Sequence, residues 1–222
     1  MKKLFICLAN SKKYNERCIA GIEVTQKNAE EFLPVTKDNK PKWIRPVTNA
    51  THGEVPSKLV DEMKMLEVYE VDIVKDCPKG YQSENALFYK PSLRKIKALE
   101  NVRLHHLDWI ADQESNHLFF GKGKAVSKDN IYQVQHSLSL IRGEKVEIYG
   151  KKYRDWETPK PRITFNYQGN RYDLSITDVA FLQAYEKDKS IVEKANHIFI
   201  TVSLGAEFEG WYYKIAAGII CI

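Results

Sequence analysis

Trp43 and Arg45 stand two residues apart in Trp43-Ile-Arg-Pro-Val47. In a β-strand that spacing puts an indole and a guanidinium on one face. An exposed pair of this kind could stack on a base and meet its phosphate; a buried pair would be core plus a structural ion pair. Trp211-Tyr-Tyr-Lys214 poses the same choice. Alternation puts Trp211 with Tyr213 on one face and Tyr212 with Lys214 on the other, so one of the two pairs belongs to the core; Tyr212 and Lys214 are carried as the candidates. Asn10, Ser11, Lys12 and Arg17 form a polar connection between apolar runs, with the amide, hydroxyl and basic groups that backbone-phosphate contacts use. A solvated hairpin would have the same composition.

Other clusters carry weaker chemistry. Gln82, Glu84 and Asn85 follow a Pro-Lys-Gly turn; such groups can read base edges, but tying down a loop is the plainer role. Phe120-Gly-Lys-Gly-Lys124 brings glycine-spaced lysines without the GxxxxGK[ST] pattern of a phosphate loop, and reads as a flexible basic turn. Asp61-Glu62-Met63-Lys64 holds an ExK triplet with no well-placed upstream Asp. Asp173, Asp178, Glu207 and Glu209 could gather around magnesium, although Asp178 serves more simply as a helix cap. GxSxG, HExxH and GxGxxG are all absent. His105, His106 and Asp108 fall in a helical segment where a structural role is expected. The residues therefore favour a non-catalytic protein with no catalytic residue, metal or cofactor.

The chain has 222 residues, 43% of them apolar, enough for one large β-rich domain or two of about a hundred residues. Four scattered cysteines, without a CxxC, read as buried reduced thiols. The opening Met1-Lys-Lys-Leu-Phe-Ile-Cys-Leu-Ala-Asn10 reads as a leading strand, since its apolar part is too short for a signal peptide. No stretch approaches the ~20 apolar residues of a membrane span, and a soluble, cytoplasmic protein is expected. Net charge is +5. Its distribution says more: residues 2–17, 90–103 and 142–171 are basic, the last with eight basic and four acidic groups, while 54–76 holds seven carboxylates against three lysines. Basic clusters in a mixed surface fit a phosphate-tracking groove, and fit an ordinary solvated surface as well.

The elements that must position these residues are mostly strands. β-biased runs cover Leu4–Ala9, Cys18–Val24, Trp43–Val47, Met65–Val74 and Gln82–Tyr89. Pro91 to about Gln113 places Leu93, Ile96, Leu99, Leu104, Leu107 and Ile110 three to five apart, a helical spacing. Strands resume at Ser137–Ile141, Val146–Tyr149, Ile163–Tyr167 and Arg171–Ile176, with Asn166–Asn170 as a hairpin turn. Thr177 or Asp178 caps a helix to about Tyr185. His197–Ser203 and Trp211–Ile220 close the chain around a loop bracketed by Gly205 and Gly210.

Six motifs then carry a resemblance. Cys7-Leu-Ala-Asn-Ser11, Arg17-Cys-Ile-Ala-Gly21, Trp43-Ile-Arg-Pro-Val47, Tyr172-Asp-Leu-Ser-Ile-Thr-Asp178, Thr201-Val-Ser-Leu-Gly205 and Phe208-Glu-Gly-Trp-Tyr-Tyr-Lys-Ile-Ala-Ala-Gly-Ile-Ile220 occur in that order. Together they resemble the prokaryotic dual OB-containing domain family across nearly the whole chain, departing from its pattern at Ala206 and Glu207. The resemblance implies two tandem OB-like barrels packed as one compact unit, in a mainly β protein with a few helices. It also implies a nucleic-acid-binding role, in some members beside defence genes. The expected division is a first barrel over 1–90, a helical or loop connection over 91–129 and a second barrel over 130–222. The leading functional expectation is binding of single-stranded or distorted DNA or RNA, beside a possible partner enzyme. One alternative is an enzyme or sensor of a small nucleotide-like ligand, in an inter-barrel cleft lined by Asn10, Arg45, Asp178, Ser203 and Glu207. A protein-interaction module is the other.

Overall fold

The structure is a computed structural model describing residues 1–29, 31–98, 104–111, 117–152 and 158–222. Before residue 99 the strands are β1 (Lys2–Lys13), β2 (Glu16–Gln26), β3 (Phe32–Pro34), β4 (Thr36–Lys37), β5 (Lys40–Pro41), β6 (Trp43–Val47), β7 (Glu67–Asp76), β8 (Asn85–Phe88) and β9 (Arg94–Ala98). Five of them close a ring. β1 pairs antiparallel with β2, β2 with β6, β6 runs parallel to β8, and β8 returns through β7 to β1. A short helix, α1 (Ser57–Val60), lies between β6 and β7. This is a five-stranded Greek-key barrel of the OB type.

The second half repeats the order. Its strands are β10 (Ala125–Ser127), β11 (Leu138–Lys151), β12 (Lys160–Tyr167), β13 (Asn170–Ile176), β14 (Ile198–Phe208) and β15 (Trp211–Cys221). β11 pairs with β12, β12 with β13, β13 runs parallel to β15, and β15 returns through β14 to β11. Of the helices α2 (Leu104–Ile110), α3 (Val179–Lys187) and α4 (Ile191–Lys194), the last two occupy the place that α1 holds in the first barrel. The protein is mainly β, with few helices and two closed five-stranded barrels, as the motifs implied.

Both faces of β1 are buried between Phe5 and Ser11. Phe5 and Cys7 point into the core of their own barrel with Ile19, Ile44 and Val71. Ile6 and Leu8 point the other way, onto Leu140, Phe199 and Ile220 of the second barrel and Leu107 and Ile110 of α2. Double burial explains why this run is apolar without strict alternation. β14 does the reverse service: Ile198, Ile200, Val202 and Leu204 fill the second core, while Phe199 joins the seam. The backbones meet closely there. A Cβ at Gly218 would sit 2.1 Å from the Leu8 carbonyl oxygen, and Thr201 Oγ1 donates to that oxygen at 2.6 Å.

Several local expectations change. The polar connection after Ala9 is shorter than its composition indicates: β1 runs on to Lys13, and the turn is only Tyr14-Asn15. Both turn residues have positive φ (48° and 69°), as a two-residue hairpin turn of type I′ requires. Residues 94–98 form a strand rather than a helix, because β7 offers an open edge to Arg94–Ala98, a pairing that spacing of apolar residues cannot reveal. β9 therefore belongs to the first sheet and β10 to the second. The two runs at 137–141 and 146–149 are one bent strand with a register shift between Glu144 and Glu147. The helical reading around Leu99, Arg103 and Gln113 lies outside the described residues, as does the side chain of His105. Asp178 caps α3 as expected, its carboxylate accepting from Phe181 N at 3.0 Å.

Candidate functional site

Arg45 lies at the boundary of the barrels and is only 2% exposed. β6 carries it inward, where Nη2 donates to Ser137 Oγ at 2.8 Å and Ser203 Oγ at 3.3 Å, and lies 3.1 Å from Glu84 Oε1. Nη1 donates to Asn85 Oδ1 at 3.4 Å, and Ser137 Oγ donates to Glu84. Gln82 Oε1 in turn accepts from Asn85 Nδ2 at 3.3 Å. The Gln82–Asn85 group thus ties a loop to a buried ion pair. Arg45 is unavailable to a polymer at the surface, and Trp43, half-buried, packs against the apolar seam.

Beside this pair lies a cavity of about 200 Å³. Ser11, Lys12 and Lys13 at the end of β1 form one side, Arg45 and Gln82 another, and Ser203 at the base of the β14–β15 hairpin a third. In OB terms this is where the loop between the first two strands meets the loop between the last two, the usual ligand position of the fold. Here Ser203, Leu204, Gly205 and Ala206 of the second barrel's hairpin form part of the wall. Neither Lys12 nor Lys13 has a carboxylate within 4 Å among the described residues; Lys13 Nζ donates to His52 O at 2.6 Å, and the Glu54 carboxylate attracts it from farther off. Burial holds the Lys13 ammonium below the ordinary lysine value. Arg45 Nε has no acceptor among the described residues.

Four of the eleven candidates, Ser11, Lys12, Arg45 and Ser203, meet at this pocket. The others are placed apart. Asn10 is buried and donates to Val60 O at 2.7 Å. Arg17 pairs with Asp61 at 2.7 Å. Asp178 is fully buried and also accepts from Ile219 N at 2.8 Å; burial pushes its carboxyl up to about 6. Glu207 accepts from Gly210 N at 2.7 Å and so closes the hairpin turn. Tyr212 packs edge-on against Tyr81, whose hydroxyl donates to Gly205 O at 2.7 Å. Lys214 is 2% exposed, its ammonium donating to Gly121 O at 2.5 Å and Gly123 O at 2.9 Å, 5.3 Å from the centre of the Tyr172 ring. Burial lowers its pKa to about 8. The inward pair of the Trp211–Lys214 run is therefore Tyr212 with Lys214.

The outward pair makes a second feature. Trp211, Tyr213 and Ile215 alternate along the outer face of β15, about 6.8 Å apart by strand rise. Ile215 lines the pocket. Trp211 is 47% exposed and pairs across the hairpin with Phe208, 62% exposed. Lys124 Nζ lies 5.9 Å from the Tyr213 ring centre, and exposed Lys122 and Lys128 flank it on either side of β10, which pairs with Trp211–Tyr213. An aromatic ladder with cations along one edge thus runs from the hairpin tip to the pocket. The alternation in the sequence already separated Trp211 and Tyr213 from Tyr212 and Lys214. Only the pairing of β10 brings the 120–128 lysines beside them, and no sequence signal announced that.

Among the described residues no cluster of His, Cys, Asp and Glu could hold a metal ion, and no helix is long and apolar enough to cross a membrane. No curated protein matches the chain. Among solved structures, one match is to a replication protein A heterotrimer bound to single-stranded DNA, at 13% identity and TM-score 0.36, covering all of this chain and 48% of that one. The chain thus spans about half the length of that protein. Another is to the tetrameric p202 HIN2, at 10% identity and TM-score 0.28, covering all of this chain and 93% of that one. The family model of the dual OB-containing domain matches residues 3–219. The chain belongs to the dual OB-containing domain family.

Proposed function

We propose that this protein binds single-stranded nucleic acid, without catalysis, along the outer face of β15. The observation that carries the reading is the ladder itself: exposed Phe208 and Trp211 paired across the hairpin, Tyr213 next along the strand with Lys124 5.9 Å from its ring, and exposed Lys122 and Lys128 before and after the paired β10. Strand-binding proteins combine these two elements, aromatic faces for bases and a basic track for phosphates. An i, i+2 spacing of about 6.8 Å suits successive bases of an extended strand. A duplex keeps its bases stacked inside and could use only the lysines. Glu207 and Glu209 at the hairpin tip repel phosphate, so the backbone is expected to lie on the β10 side.

The test is fluorescence anisotropy with labelled DNA and RNA single strands of about thirty nucleotides, and with a duplex, at two salt concentrations. Binding that prefers single strands and weakens with salt, with a slope set by a few phosphate contacts, supports the reading. A folded, monodisperse protein that binds neither strand at low salt refutes it.

A further inference from the structure

We propose that the pocket between the barrels is a phosphomonoester site, built to take the terminal phosphate of a nucleic-acid strand. The inference rests on the nucleic-acid reading for its source of phosphate, while the chemistry of the pocket stands by itself.

Charge is the first reason. The Arg45 guanidinium is balanced by Glu84 inside the ion pair, but Lys12 and Lys13 bring two further positive charges to the wall, against which only the more distant Glu54 carboxylate acts on Lys13 among the described residues. An anion would supply what the wall lacks. Donors are the second. The Lys12 and Lys13 side chains on the wall can only donate hydrogen bonds. Ser203 Oγ accepts from Arg45, so its own proton is free to be donated into the pocket. A ligand here must be rich in acceptors, as a phosphate is.

Size is the third. About 200 Å³ holds roughly seven water volumes, enough for a phosphate and part of a sugar. It falls below the roughly 300–1,000 Å³ of pockets that enclose a whole small molecule. The rest of a nucleotide must therefore project outward. Ile215 on the wall is the inner rung of the β15 ladder, whose next rungs are Tyr213 and Trp211. A strand whose end is held in the pocket would lie along that ladder. A free mononucleotide offers the same phosphomonoester, so the two sources need separate arms.

The experiment compares labelled oligothymidylates of about ten nucleotides ending in 5′-phosphate, 3′-phosphate or hydroxyl only. Thymidine monophosphate and inorganic phosphate are titrated separately by calorimetry. Wild type is set beside Lys12→Gln/Lys13→Gln, which spares the buried ion pair and should fold. The expected result is about tenfold tighter binding of one phosphorylated end over the hydroxyl strand. The double variant should lose that advantage while still binding the hydroxyl strand. Thymidine monophosphate binding that the variant loses, with no end preference in strands, keeps the phosphomonoester site and assigns it to a free nucleotide. Equal binding of all three strands with no mononucleotide or phosphate binding overturns the inference and leaves the nucleic-acid reading standing. Failure of every strand alongside mononucleotide binding does the opposite.

Discussion

Arg45 Nη2 of the first barrel donates to Ser137 Oγ of the second at 2.8 Å, and Glu84 accepts from both side chains. The ion pair therefore belongs to the joint between the barrels rather than to either one. Removing one partner of a buried pair leaves the other charge stranded, which costs about 3–5 kcal/mol, whereas replacing both with apolar groups is often close to neutral. Arg45→Met should thus lower stability in urea denaturation by about that amount. Arg45→Met/Glu84→Leu should recover most of the loss. Additive losses in the double variant would contradict a coupled pair.

The seam itself depends on close backbone approach. A Cβ at Gly218 would fall 2.1 Å from the Leu8 carbonyl oxygen, and backbone cannot swing aside as a side chain can. Gly218→Ala should cost about 3 kcal/mol or more, at the upper end of overpacking effects. Thermal unfolding measures it, and an unchanged midpoint would show that the barrels are not packed this tightly at β1 and β15.

Lys214 gives a pH signature. Burial brings its pKa to about 8, against about 10.4 for an unperturbed lysine. Between those values the unfolded chain holds a proton that the folded one has released, so this group makes stability rise with pH. Cys7 and Cys221, raised by burial to about 12 and about 11, act in the opposite sense once the unfolded thiols ionise near 8.5. The rise is therefore to be read around pH 7.5 to 8.5, the interval that joins these values. Lys214→Met should flatten the stability profile there, whatever its effect on the absolute midpoint.

Glu209 sits exposed in the turn beside the ladder, and no phosphate should lie near it. Glu209→Lys removes a repulsion and adds a cation at a position that already tolerates positive φ (51°). Single-strand affinity at low salt should rise several-fold. The salt slope should steepen by about 0.7 if the new lysine gains one phosphate contact. An unchanged slope would place the strand away from the hairpin tip.

The barrels were legible because β-biased runs and turn residues recur at short range, and Trp43–Val47 and the Asp178 cap appear in the structure where the pattern put them. What the sequence hid was contact at long range. The apolar run of β1 does not say that its outer face meets Phe199, and nothing local says that Arg45 ends against Ser137, 92 residues on. Burial of Arg45 and Lys214 was undecidable from alternation alone, because alternation separates two faces without naming the wet one. The ladder was half visible, in the parity of Trp211 and Tyr213. Its cationic edge waits on the β10–β15 pairing, and Ala125–Ser127 is too short to read as a strand.

The most direct test of the account is the affinity of Phe208→Ala/Trp211→Ala for a labelled single strand of about thirty nucleotides at low salt. Stacking is worth about 1–3 kcal/mol per base, so the double variant should bind at least tenfold more weakly while unfolding at the wild-type temperature, since both side chains are exposed. Wild-type affinity in that folded variant would contradict the β15 face as the nucleic-acid platform.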